Sequence, residues 1–133
     1  MTPILTPGEV LLRLIDGVTG KRWDELPGLY ATDTVVTHPL GDAPPLRGRA
    51  ALQAHFTAAA ALPIDMRAEE LVVHETADPE VVIGEFLYRG RNTATDRAFA
   101  VRNVFVLRVR DGQIVESRDY ADHHAFAAAF PSA

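Results

Sequence analysis

The sequence predicts an α+β protein in which helices come first and a curved antiparallel sheet follows, packed on one face by those helices. Three observations carry this. Apolar residues early in the chain recur at helical spacing: Val10, Leu11, Leu14, Ile15 and Val18 fall on one face. From Ile64 onward the apolar period drops to two. Finally, Asp111-Gly112 separates two alternating runs, a dipeptide that favours the tight hairpin turn needing positive φ at both central residues.

Taken in order, Thr6-Pro7-Gly8-Glu9 starts the first helix. Thr6 caps it, Pro7 suits the first helical position, Glu9 closes a capping box, and Gly20 ends it. A second, short helix is expected from Trp23-Asp24, with Pro27 in its first turn and Trp23, Leu26, Leu29 and Tyr30 turned inward. Thr34–His38 reads as a strand stopped by Pro39. Leu40–Leu46 reads as a loop on its glycine and two prolines. Gly48–Leu62 is a third helix, burying Leu52, Phe56 and Ala59 or Ala60. Strands follow at about 64–76, 80–91, 97–110 and 113–122, joined at Ala77-Asp78-Pro79, Asn92 to Asp96 and Asp111-Gly112. A run of strands after a run of helices implies a meander covered on one side, and residues 1–133 are expected to be a single domain.

The totals narrow the function classes. Of 133 residues, 47% are hydrophobic and 23% charged, as in ordinary globular proteins, and no linker or repeat interrupts them. With 13 Lys+Arg against 18 Asp+Glu the net charge is −5, which argues against nucleic acid or an anionic membrane as partner. The absence of cysteine excludes disulfides and thiolate chemistry. Arg13 and Asp16 interrupt the apolar run near the start, so no membrane span or secretion signal is expected, and a cytoplasmic location is the default.

The closing hairpin carries the first chemical signal. Val101, Asn103, Phe105 and Leu107 share one face of its first strand, and Ser117, Asp119 and Ala121 share one face of its second. Asn103 and Asp119 are polar among positions that otherwise look interior. A buried amide and a buried carboxylate each need a partner or a job.

The segments LYATDTVVTHPLGDAPPLRGRAALQAHF and VFVLRVRDGQIVESRDYADHHAF, in this order and spacing, resemble the nuclear transport factor 2-like superfamily. Within it the match is to the SnoaL-like and ketosteroid-isomerase-like branch, over Pro7 to Phe130. The resemblance implies a cone: a sheet curled around three helices, leaving a deep apolar pocket that takes an apolar small-molecule ligand. It also implies a homodimer through the exposed sheet face, which suits the outward Val104 and Val106. It implies cyclase- or isomerase-type proton transfer without a cofactor. The catalytic base of steroid isomerases maps to His38, but their two oxyanion donors map to Leu14 and Phe105, which donate nothing. The Asp–Arg–Asp set of limonene-epoxide hydrolases keeps only Asp119, its other positions being Phe86 and Tyr88. The family fold is thus implied more sharply than any one reaction.

His38 is the leading candidate base, since neutral imidazole titrates near pH 6.5. Its alternative is a histidine bonded to loop backbone. Asp119 could orient His38 or be the base itself in an apolar pocket; otherwise it pairs with Arg102 or Arg118, or caps the following turn. Asn103 is a candidate donor to a substrate carbonyl or oxyanion, or else a satisfied core amide. Tyr88, Phe86 and Phe105 are expected to line the pocket, with Trp23 and Phe56 at its floor or in the core. Glu85 should face away. Asp122-His123-His124 lacks metal-ligand spacing, His55 and His74 read as surface or helix-face residues, and the arginines at 47, 49 and 67 make no compact phosphate site. Two further readings stay open: a non-catalytic ligand-binding dimer with the same pocket, and water addition of the epoxide-hydrolase kind.

Overall fold

The computed structural model describes residues 3–130. Helix α1 (Pro7–Thr19) starts as the capping box requires: the Glu9 amide donates to Thr6 Oγ1 at 3.2 Å, and the Thr6 amide donates to Glu9 Oε1 at 2.9 Å. Its apolar face, Val10, Leu11, Leu14 and Ile15, is fully buried against the sheet. Helix α2 (Arg49–Ala60) buries Leu52 and Phe56. It begins after Gly48, whose φ of +88° is a conformation that a side chain would strain.

Between the two helices the chain is less helical than expected. The second helix is a single 3-10 turn, Leu26–Leu29, and Tyr30 already belongs to the following strand. Pro27 has no amide to donate and Gly28 favours no helix, so nothing propagates the turn. Trp23 therefore lies outside any helix, half-buried against the core. The helical layer inside the sheet is thus α1, this turn and α2.

The sheet has six strands in the order β2-β1-β6-β5-β4-β3: β1 (Tyr30–Thr37), β2 (Leu46–Arg47), β3 (Ile64–Glu75), β4 (Val81–Asn92), β5 (Arg97–Arg110) and β6 (Gln113–Ala121). The four meander strands stand close to their expected bounds and pair antiparallel. Two details correct the expectation of a purely antiparallel sheet with a loop at Leu40–Leu46. β1 runs parallel to β6, and the loop's last residue opens the two-residue strand β2 on the outer edge of β1. A first strand returning through the rest of the chain to pair beside the last is a long-range contact that local periodicity does not report.

Bulges bend the sheet. β3 shifts register between Glu69 and Val72, with Glu70 at φ +57°, and β5 against β6 shifts between Arg108 and Val109. Asp111 and Gly112 both take positive φ, 53° and 77°, as the hairpin signal demands. The concave face carries the apolar core. The convex face carries ion pairs: Arg108 with Asp78 and Glu80, Arg89 and Arg67 with Glu69, and Arg102 with Glu70. Val104 and Val106 lie on that outer face.

After β6 the chain turns into a short helix, α3 (His123–Ala129). Asp122 caps it by accepting the Ala125 amide at 3.0 Å. The Asn92 amide donates to Ala129 O at 3.0 Å, and the Arg97 guanidinium donates to Ala128 O, so α3 is tied back across the end of the sheet. Among the described residues no helix is long and apolar enough to cross a membrane.

Candidate active site

A cavity of about 270 Å³, open on one side to solvent, lies between α1, α2 and the concave face of the sheet. Its wall is apolar, with Trp23, Phe56, Met66, Tyr88, Phe105 and Phe126 prominent. Trp23 stacks on Phe56 at one side, ring centroids 6.3 Å apart. Phe126 stacks on Phe130 at another, 4.8 Å apart. A small polar cluster interrupts this wall: His38, His55, Asn103, Ser117, Asp119 and His123.

Strand pairing explains most of the cluster. Asn103 on β5 faces inward beside Phe105, and Phe105 pairs directly with Asp119 on β6. Asn103 and Asp119 are therefore diagonal neighbours on the concave face, the separation at which side chains reach one another. β1 runs beside β6 with Thr37 opposite Arg118, so the next residue, His38, emerges next to Asp119. His38 Nε2 stands 3.6 Å from Asp119 Oδ2, with the two side chains 17% and 20% exposed. That is an electrostatic contact rather than a hydrogen bond, which needs a shorter approach.

The arginines that could have neutralised Asp119 are engaged elsewhere. Arg102 pairs with Glu70 at 2.9 Å and Arg118 with Glu116 at 3.1 Å, both on the outer face. Asp119 is thus paired with neither arginine. Asp119 Oδ1, Asn103 Nδ2 and His123 Nε2 are all buried without a hydrogen-bond partner among the described residues. All three are closed off from water, and the Asn103 amide leans on the Asp119 carboxyl beside it.

Burial pushes the Asp119 carboxyl up to about 6, an effect that the neighbouring Asn103 amide partly offsets. Burial also lowers His38, and the nearby His55 and His123 rings lower it further. His55 is lowered by burial as well. At neutral pH the site thus holds an ionised Asp119 beside a neutral His38. The Tyr30 and Tyr88 hydroxyls, fully buried and near the Asp119 charge, are pushed well above their ordinary range and stay protonated.

Of the residues singled out from sequence, His38, Asp119, Asn103, Tyr88, Phe105, Trp23 and Phe56 all line the cavity. Phe86 does not line it. It is 1% exposed and packs edge-on to Tyr88 at 4.7 Å and against Phe105 at 5.5 Å, so it supports the wall from behind. Glu85 and His74 are outside, 3.8 Å from each other, as expected.

Three further residues reach the cavity that the sequence reading did not place there. His55, read as a surface or helix-face residue, is exposed on α2 as expected, and its ring also reaches the cavity's edge, 6.1 Å from His38 between centroids. The signal was its spacing, three after the buried Leu52 and four before Ala59. His123, set aside with its neighbours as a poor metal motif, lies 6.3 Å from His38. Asp122 as a helix cap was the clue that the chain folds back there. Tyr30 was given to a helix, although it shares alternation with Thr34 and Val36, all buried. No metal-binding group of three or more His, Asp or Glu occurs among the described residues.

Comparisons with known proteins agree with this architecture. A family model described as the SnoaL-like domain matches residues 11–117. An uncharacterized PhzA/B-like protein of Pseudomonas aeruginosa is 33% identical over 116 residues, covering 82% of this chain and 77% of the relative. Among solved structures, a proposed isomerase of Bacillus subtilis superposes with a TM-score of 0.86 at 24% identity, covering 96% of this chain and 94% of that one. A nuclear transport factor 2-like protein of Burkholderia xenovorans superposes at 0.70 with 25% identity, covering 96% and 98%. The SnoaL-like match over most of the chain, together with the cone it folds into, makes this protein a member of the SnoaL-like family with the nuclear transport factor 2-like fold.

Proposed function

We propose that the chain binds an apolar, oxygenated small molecule in the cone and catalyses cofactor-independent proton transfer next to a carbonyl, as a cyclase or isomerase does. The observation that carries this reading is the Asp119 carboxyl, which lines an apolar cavity beside His38 with both nearby arginines paired elsewhere and its pKa raised to about 6. A base of that pKa is ionised at neutral pH yet basic enough to take a proton. His38, 3.6 Å away, orients one carboxylate oxygen and can share the proton. The Asn103 amide is the nearby donor for a developing oxyanion.

The assignment moves the base from His38 towards Asp119. Histidine at the end of β1 is pulled down by burial and by two other histidines, which weakens it as a base. Asp119 is pulled the other way. Two neighbouring groups whose environments push their affinities for a proton towards each other can exchange one at little cost.

A second reading, a binding protein without turnover, is favoured by Leu14 at a position where related isomerases keep an oxyanion donor. The two are separated by incubating the protein with apolar ketones in D2O and following deuterium uptake beside the carbonyl. Uptake that is lost in Asp119→Asn supports catalysis. Uptake that both Asp119→Asn and His38→Ala leave intact rules it out. The outer sheet face, with Val104 and Val106, is proposed to pair with a second copy of the chain.

A further inference from the structure

We propose that His55 is a proton shuttle, carrying protons between the His38–Asp119 pair in the cavity wall and the solvent. The inference rests on the proton-transfer reading and adds the route by which the base is recharged.

The need for a route follows from burial. The Asp119 and His38 side chains are only 20% and 17% exposed, and both line the cavity. A ligand that fills the cavity lies over both, so a proton taken by Asp119 has no free water to leave to. Without another path it returns to the atom it came from.

The groups around His38 differ in where they lead. His38 is faced by Asp119 from β6 at 3.6 Å, by His55 from α2 at 6.1 Å between ring centroids, and by His123 from α3 at 6.3 Å. His123 is a dead end. Its Nε2 is buried, and Gly41 lies so close that a side chain there would come within 3.3 Å of it. His55 is the exposed ring. Its neighbours Leu52 and Phe56, 1% and 6% exposed, fix α2 against the core, so the ring stands at the cavity's rim. Phe56 also holds it edge-on, centroids 5.4 Å apart.

The chemistry suits imidazole. A neutral ring accepts a proton at one nitrogen and releases one from the other. Burial lowers both His38 and His55, and the two other rings lower His38 further, so at neutral pH both are uncharged and ready to accept. The transfer moves protons alone. The Asp119 O–H bond breaks as an N–H bond forms on His38, His38 gives a proton from its other nitrogen to His55, and water takes one from His55. The carboxylate is restored and no electrons change hands. The gap between the two rings is crossed through one water, or directly after rotation of the exposed ring.

The test compares His55→Phe, which keeps a ring beside Phe56, with the unmodified full chain. Deuterium uptake by 2-octanone is followed in D2O at low buffer concentration. His55→Phe should lower it by about 100-fold, the lower end of what a positioned proton-transfer group contributes. Added imidazole should restore the rate in proportion to its concentration, whereas Asp119→Asn stays unresponsive. A second readout needs no turnover: exchange of the His38 ring N–H with water, read by NMR with 2-octanone present, should be slower in His55→Phe. Uptake that His55→Phe leaves unchanged and Asp119→Asn abolishes overturns the shuttle and leaves the proton-transfer reading standing. A loss that imidazole does not rescue also overturns the shuttle, because it marks a structural role for the ring. No uptake by the unmodified chain sinks the proton-transfer reading, and N–H exchange then decides the shuttle: equal rates in variant and wild type overturn it.

Discussion

Asp119 Oδ2 faces His38 Nε2 at 3.6 Å while Asp119 Oδ1 is buried in the wall, where the Asn103 amide leans on the carboxyl. One carboxylate is thereby divided between the histidine beside it and the buried amide. The division is made by sheet topology: β6 supplies Asp119, and β1 lies parallel beside it to deliver His38. Asn103 joins them from β5 across the diagonal.

The first prediction concerns pH. Proton abstraction by Asp119 needs the ionised carboxylate, whose pKa is about 6. Exchange rate should rise with pH through about 6 and level off above about 7. Asp119→Asn should lower the rate by at least about 100-fold, the ordinary contribution of a positioned base. A rate–pH profile that is flat between pH 5 and 7 would remove Asp119 from that role.

A second prediction links the same group to stability. A carboxyl whose folded pKa lies above its unfolded value of about 3.9 binds more protons when folded. Its contribution favours the fold most below the unfolded value and is lost as pH rises through about 6. At pH 7.5 Asp119→Asn should therefore stabilise the chain, by on the order of 2 kcal/mol, and at pH 4 the gain should vanish. Lowered His38 and His55 act in the opposite sense, costing stability as pH falls below about 6.5. The comparison must accordingly be made between wild type and variant at each pH by urea unfolding. A variant less stable than wild type at pH 7.5 would show that the carboxylate is held for structure.

Much of this was legible in the chain because the signals are local. The capping box of Thr6 and Glu9, the Asp111-Gly112 turn and the period of two each depend on residues within a few positions. Asn103 and Asp119 stood out because alternation put polar groups where apolar ones belong. What was hidden depends on distant partners. That β1 runs parallel to β6, and that α3 brings His123 back over the cavity, are settled by packing between residues some eighty apart in the sequence. Phe86 shows the complementary limit. Alternation places it on the concave face correctly, but only the packing of Tyr88 and Phe105 decides that it lies behind the wall.

Phe86 supplies the third prediction. With 1% exposure and two aromatic neighbours it has little room to relax around a deletion. Phe86→Ala should cost about 3–5 kcal/mol in urea unfolding. Phe86→Leu, which keeps much of the volume, should cost less while leaving the ligand preferences of the cavity unchanged. Altered ligand preference in a well-folded Phe86→Leu chain would return this side chain to the wall.

The last prediction addresses assembly. Val104 and Val106 are half-buried on the convex face, between the Arg102–Glu70 pair and the Arg108 ion pairs with Asp78 and Glu80. Two apolar positions flanked by charges of both signs suit a self-complementary contact, in which each copy offers the same patch to the other. If a dimer forms there, placing a charge at its centre twice over should break it, because each copy brings the same sign to the axis. Val104→Glu with Val106→Glu should yield a monomer by light scattering while Trp23 fluorescence still reports ligand in the cavity, which opens to the other side of the sheet. A wild-type chain that is monomeric at micromolar concentration, or a double variant that stays dimeric, would place the interface elsewhere or nowhere.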